Sequence, residues 1–156
     1  MVPNKTIELR LRPNERGRTE ETRKRLRIDL SEFCHTCGAY VIRFDTRLIP
    51  RLVGESRVLK IGETTDGFLN RFSNYNHQDW LTCVQMSLSE ALVQGSSQLT
   101  NAYLMFLLPR LLEWDRVFVD FHFASESVTT DDLQRSLLES YLNTHLEAPP
   151  LNLGKR

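Results

Sequence analysis

Three short stretches of the chain alternate their side chains with a period of two. Between Gly38 and Phe44, Tyr40, Ile42 and Phe44 fall on one face, and Ala39, Val41 and Arg43 on the other. Val58 and Lys60 likewise oppose Leu59 and Ile61, and Val117, Val119, Phe121 and Phe123 oppose Phe118, Asp120 and His122. Alternation over β-branched and aromatic residues predicts strands with one face turned to a core. A further alternating run, Thr6 to Arg12, sets Ile7, Leu9 and Leu11 against Glu8, Arg10 and Arg12 and is stopped by Pro13. The connection 45–57 carries Pro50 and Gly54, which predicts a long hairpin loop rather than a tight turn.

Helical spacing takes over after Gly62. Phe68, Leu69 and Phe72 predict a helix capped by Thr65 or Asp66, with Arg71 and Tyr75 four apart on one side of it. Residues 79–94 divide, alternating in part and then turning helical, and Leu99 to Trp114 reads as a strongly apolar helix kinked or broken at Pro109. Being apolar on most sides, that helix is either buried or pairs with another subunit. Thr129 or Thr130 starts the last helix, Asp131 and Asp132 suit its positive first turn, and Leu133, Leu137, Leu138, Tyr141 and Leu142 make its buried stripe. Glu139 is expected just past the edge of that stripe, beside Leu142 and Leu146, pointing along the core boundary toward a sheet face. Residues 14–28, capped by Asn14, have little apolar face and read as an appended arm.

The pattern predicts an α/β fold with a small, mainly antiparallel three-stranded sheet flanked by helices. An N-terminal basic arm of strand plus helix (1–33) precedes the main domain (34–156). The length of 156 residues suits one domain with a real core, and 40% hydrophobic with 26% charged residues is ordinary for a soluble globular protein. No run has the length of a membrane span and the N-terminus lacks a secretory apolar stretch, so a cytoplasmic protein without a membrane partner is expected.

Charge changes the picture through its distribution, because the net charge is zero. Residues 1–28 hold nine Lys/Arg against four Asp/Glu, whereas residues 72–156 hold five against ten. The basic segment, Arg23, Lys24 and Arg27 included, is either a footprint for nucleic-acid phosphates or a solvated helix face. Three cysteines argue against a disulfide framework. Cys34 and Cys37 have the spacing of half a zinc site, which Cys83 and His77 would complete only if the fold brought them close; the plainer reading is a pair of small buried thiols. Asp120 and His122, two apart on one strand, are either site residues or a polar sheet face.

Gly38-Ala39-Tyr40, then Lys60-Ile61-Gly62, then Arg71, and finally Glu139 followed by Pro149-Pro150-Leu151-Asn152, together resemble the motif series of the GIY-YIG nucleases. The resemblance covers roughly residues 37 to 152. It implies a Mg²⁺-dependent (or Mn²⁺-dependent) endonuclease that hydrolyses DNA phosphodiesters, with Glu139 as the single metal ligand. Such economy suits Mg²⁺, which keeps several waters and is often held by one or two carboxylates plus the substrate phosphate. Tyr40 would position or deprotonate the attacking water, and Arg71 would stabilise the charge developing on the phosphate. The second tyrosine of the pattern is Lys60 here, as in some restriction-type members, and its cation would favour the phenolate of Tyr40. Tyr75 stands where many members have histidine, as in the nuclease domain of the bacterial excision-repair incision subunit; it ranks above His77 as a helper on the phosphate. Gly62 would let the helix or DNA backbone approach, and Asn152 would hydrogen-bond a loop or the metal shell.

The leading expectation is a restriction-type endonuclease. A dimer would let it cut both strands, with the helix from Leu99 as candidate interface. It requires Tyr40, Lys60, Arg71 and Glu139 to gather around one hollow. The alternatives are a catalytically decayed nucleic-acid-binding module on the same fold, a DNA-repair or mobile-element nuclease, or a zinc- or redox-linked protein using Cys34 and Cys37.

Overall fold

The computed structural model describes residues 1–9, 29–74, 111 and 113–152 of the chain. Their elements are β1 (Lys5–Leu9), β2 (Gly38–Phe44), β3 (Ile49–Pro50), β4 (Glu55–Ser56), β5 (Val58–Thr64), α1 (Phe68–Asn74), β6 (Val117–Phe123) and α2 (Thr130–His145). The fold is α/β, built on an antiparallel sheet in the order β1-β6-β2-β5, and β3 and β4 form a small hairpin within the β2–β5 connection. The expected three strands are thus four. β1 joins the sheet because Ile7 and Leu9 lie opposite Val119 and Val117 of β6 and pack against the same core. Leu30 and Phe33 are core residues as well, so the expected boundary between an arm and the main domain at 33/34 falls inside the hydrophobic core. Among the described residues no helix is long and apolar enough to cross a membrane.

β2 is paired on both edges, and its alternation divides the molecule into two sides. On the first side lie Tyr40, Ile42 and Phe44, with Val117, Val119 and Phe121 of β6 beside them and Leu30, Phe33, Phe68, Leu111 and Leu151 packed over them. Aromatic rings meet edge to face here: Phe68 and Phe33 lie 4.6 and 5.0 Å from the ring of Phe121, a geometry that suits the quadrupoles of the rings. On the second side Val41 and Ile61 pack against Leu137, Leu138 and Tyr141 of α2.

The alternation expected for β5 is broken by a bulge. Ile42 pairs with Lys60 while Arg43 pairs with Val58, which leaves Leu59 as the extra residue. Leu59 turns into the first core, and Val58 and Ile61 both reach the second. Leucine in the bulge gains burial that a strict period-two strand would deny it.

Local chemistry sets the helix starts. Thr129 caps α2: its hydroxyl accepts from Asp132 N at 3.2 Å, while the Asp132 carboxylate accepts from Thr129 N, also at 3.2 Å. α1 begins one residue later than a cap at Asp66 and two later than a cap at Thr65 would have it. The first intrahelical acceptor is the carbonyl of Gly67, at a φ of 87° that favours glycine. The carbonyls of Cys34 and Thr36 take up the N–H groups of Leu69 and Phe68, tying α1 to the turn that precedes β2. The segments 10–28, 75–110 and 153–156, with the expected arm helix, the ambiguous 79–94 stretch and most of the helix from Leu99, lie outside the described residues.

Truncating Phe121 to Ala, at the meeting point of these rings, is expected to destabilise the protein by about 3–5 kcal/mol. Urea denaturation followed by circular dichroism measures this; a loss under 1 kcal/mol would show that the ring cluster does not hold the sheet to its first covering layer.

Candidate functional site

Of the residues singled out by motif, Tyr40, Lys60, Gly62, Arg71 and Asn152 lie on or against β5, the outer strand of the sheet. Gly62 pairs with Tyr40, and a Cβ at position 62 would stand 2.4 Å from both Cζ and Oη of that tyrosine. The phenol therefore lies directly over Gly62, in space that any side chain there would claim. Lys60, opposite Ile42, stands on the same face of the sheet two residues away. Tyr40 is 1% exposed and Lys60 6% exposed, so neither group opens to solvent.

The outer edge of β5 is occupied at every alternate residue. Leu151 N donates to Leu59 O at 2.9 Å. The Asn152 side chain makes two bonds to Ile61, accepting from its N–H at 2.8 Å and donating to its carbonyl at 2.7 Å. Arg71 donates from Nε and Nη2 to Glu63 O at 3.1 and 2.9 Å. An edge strand presents an open row of donors and acceptors, and here an amide mimics a neighbouring strand while a guanidinium finishes the row. Arg71 and Asn152 are thus clamps on the strand that carries Lys60 and Gly62. A bond to a loop or the metal shell is the expectation for Asn152; its amide instead pairs with the backbone of Ile61 in a strand.

Glu139 departs from its expected position. α2 packs on the Val41/Ile61 side of the sheet, opposite the side that carries Tyr40 and Lys60. Within α2 the buried residues are Leu133, Gln134 and Tyr141, whereas Leu142 is 41% and Leu146 67% exposed. At 100° per residue Glu139 projects from the side of the helix opposite this buried stripe, into solvent. The expectation rested on counting Leu142 as buried. With the stripe one residue narrower, the carboxylate turns away from the sheet. Tyr40, Lys60, Arg71 and Glu139 do not share one hollow in this structure, and among the described residues no group of three or more His, Cys, Asp or Glu could hold a metal ion. Tyr75, His77, Arg23, Lys24 and Arg27 lie outside the described residues.

Asp120 and His122 have structural surroundings. Asp120 is gripped by Arg43 through Nε at 2.5 Å and Nη2 at 3.1 Å, and it accepts from Thr6 Oγ1 at 2.6 Å. The pair ties β1, β2 and β6 together on the second side of the sheet. His122 is 3% exposed, and among the described residues its Nδ1 has no hydrogen-bond partner. Burial pushes its pKa below the ordinary value, the Asp120 carboxylate pulling the other way. Cys34 and Cys37 are half-buried thiols; Cys37 Sγ donates to Thr65 O at 3.0 Å and helps lock the turn before β2 to the turn before α1. Cys83 lies outside the described residues.

Two anchors were not anticipated. Asp115 accepts from the backbone N–H groups of Thr46, Arg47 and Arg116 at 2.6, 2.7 and 2.8 Å, which lowers its pKa to about 2. Arg51, on the β3–β4 hairpin, pairs with Glu147 at 2.9 Å and donates to Ala148 O at 2.7 Å. A carboxylate near a turn and an arginine in a loop carry no periodic signal, so neither partner could be named before the chain was folded. Set against family models, curated proteins and solved structures, the chain has no match in any of the three comparisons.

Gly62→Ala should cost about 1–3 kcal/mol by forcing the Tyr40 ring aside. The cost should shrink when Tyr40→Ala is combined with it, giving a non-additive double-mutant cycle; additive effects would mean that the ring does not rest on this glycine. Asn152→Ala should cost about 1–3 kcal/mol, because it strips both bonds from Ile61, and should speed hydrogen exchange at the Ile61 amide above that at Val41. The lowered pKa of His122 carries a pH dependence with a definite sign. The unfolded chain takes up this proton near pH 6.5 and the folded chain only below it, so stability is intact above about 6.5 and falls as the pH drops through that value. His122→Gln should flatten the loss of stability between about pH 7.5 and 5.5 in urea titrations.

Proposed function

We propose that this chain is a DNA-directed domain on a GIY-YIG-type scaffold, and that in this form it binds rather than cuts. The order of its motif residues supports the scaffold, since Tyr40, Gly62, Arg71 and Asn152 all converge on one strand. The observation that carries the binding reading is Glu139 on the solvent side of α2, behind the sheet from Tyr40. Hydrolysis by the expected route needs a hydrated metal beside the phenol, and a carboxylate on the far side of a sheet cannot hold one there. Tyr40 and Lys60 are covered, and Arg71 spends two donors on a backbone carbonyl. The electrostatic part of binding falls to the basic segment with Arg23, Lys24 and Arg27, whose cations would release counterions from the phosphate backbone.

A second reading, the Mg²⁺-dependent or Mn²⁺-dependent restriction-type endonuclease, is favoured by Lys60 and Tyr40 sharing one face, with Arg71 anchored at the residue next to Gly62. It needs a carboxylate brought within reach of Tyr40 when DNA is engaged.

Plasmid nicking with Mg²⁺ and with EDTA, run beside fluorescence anisotropy on a labelled duplex, separates the two. Binding without metal-dependent nicking is expected, and Arg23→Ala/Lys24→Ala/Arg27→Ala should reduce the salt slope of the affinity by up to about three. Nicking that needs Mg²⁺ and disappears in both Arg71→Ala and Glu139→Ala would overturn the binding reading in favour of the nuclease. Absence of any duplex binding at 50 mM salt would remove both.

A further inference from the structure

Cys34-His35-Thr36-Cys37 is a motif that the functional reading leaves unused. Its two thiols are free and half-buried, and their spacing is that of the Cys-X-X-Cys dithiols that exchange with disulfides. Cys34 packs against the first core, and a bond from Thr36 N to Phe33 O at 3.0 Å bends the chain across Cys34 and His35. The Cys37 side chain folds back over that turn. Its Sγ lies 4.0 Å from His35 O and donates to Thr65 O at 3.0 Å.

The same turn is the seat of α1. Leu69 N and Phe68 N donate to Cys34 O and Thr36 O at 2.9 and 3.1 Å, and a Cβ at Gly67 would stand 3.0 Å from both Cys34 O and His35 Cα. Residues 65–69 therefore lie directly against residues 34–37. The S–H of Cys37 supplies one of the bonds in this contact, and a sulfur held in a disulfide has no proton to donate. Pairing Cys37 with Cys34 thus removes the bond to Thr65 O and pulls on the turn whose carbonyls hold Phe68 and Leu69. Arg71, within the next turn of α1, clamps Glu63 O, so the change is passed on toward the outer edge of β5.

We propose that Cys34 and Cys37 form a reversible disulfide that loosens α1 from the turn before β2, by exchange with a low-molecular-weight disulfide of the glutathione class. Cys34 is shielded by the core, so Cys37 reacts first. Its sulfur loses a proton and attacks one sulfur of oxidised glutathione; the S–S bond breaks, and the departing half takes that proton. The Cys34 sulfur, deprotonated in turn, attacks the Cys37 sulfur of the mixed disulfide and expels the second glutathione, which takes the second proton. Two protein thiols are oxidised to one disulfide, and one glutathione disulfide is reduced to two thiols. Transient disulfides of this kind are the ones that reducing compartments use for sensing. The switch operates whether the chain binds DNA or cuts it.

Equilibration of the full chain in glutathione buffers, from fully reduced to fully oxidised, tests this, with peptide mapping by mass spectrometry and amide hydrogen exchange as the two readouts. A Cys34–Cys37 disulfide is expected on oxidation and is expected to be lost again on adding reduced glutathione. Exchange at the Phe68 and Leu69 amides should quicken by roughly fivefold, the opening cost of about one hydrogen bond. Cys37→Ser, whose hydroxyl can still donate to Thr65 O, should show no such change in oxidised glutathione; should that variant unfold, Cys34→Ser carries the same control. Two thiols that persist in oxidised glutathione overturn the proposal. So do a stable glutathione adduct, a disulfide to Cys83, and a Cys34–Cys37 disulfide that leaves exchange at Phe68 and Leu69 unchanged.

Discussion

β2 is hydrogen-bonded along both of its edges, and the rest of the structure depends on that double pairing. A strand held on both sides has no freedom to rotate, so its alternation becomes the partition of the whole molecule. Tyr40, Ile42 and Phe44 are committed to the layer that holds Phe33, Phe68 and Leu111. Val41 is committed to the layer under α2. Every question about which groups can act together reduces to which side of β2 they stand on. The bulge at Leu59 is where this partition is adjusted, because it lets Val58 and Ile61 reach one side while Leu59 fills the other.

The outer edge of β5 shows how one set of residues can serve an edge and mimic a site. Tyrosine over glycine, arginine one turn into a helix and asparagine near the C-terminus are the components from which phosphate chemistry can be assembled. They are equally the components needed to finish an open strand. An asparagine side chain offers one donor and one acceptor at the spacing of a peptide group, and arginine offers parallel donors to a single carbonyl. Here Asn152 and Arg71 are used in that second sense, and Leu151, the residue before Asn152, enters the core. Tyr40 is covered for the same reason: its ring fills the space above Gly62 that would otherwise be a groove along the sheet.

Polar groups on the second side are held by local complementarity. Arg43, Asp120 and Thr6 satisfy one another across three strands, whereas His122, two residues along β6, has a ring nitrogen with no partner among the described residues. Burial disfavours the charged imidazole, which is why acid would strain the sheet here. The hairpin tip, pinned by Arg51 and Glu147, shows the opposite disposition, with ordered aliphatic side chains turned to solvent.

Much of this architecture was legible as pattern. The strands around Tyr40, Ile7 and Phe121, the long connection after Asp45, the capped helix after Thr129 and the core residues of β2 and β6 all follow from short-range periodicity and capping chemistry, which depend on near neighbours in the chain. Position across the sheet is a different kind of quantity. Whether β1 stands apart or pairs with β6, whether a leucine bulges, and whether Glu139 projects toward Tyr40 or away from it depend on contacts between residues tens of positions apart. Leu142 illustrates the difference: its hydrophobicity places it in a helical stripe, but α2 turns Leu133, Gln134 and Tyr141 inward and leaves Leu142 exposed, with Glu139 on the same outer side. The chain by itself determined its elements and the motif residues they carry. Tertiary structure alone decided which of those residues face one another, because burial is shared between elements and belongs to none of them singly.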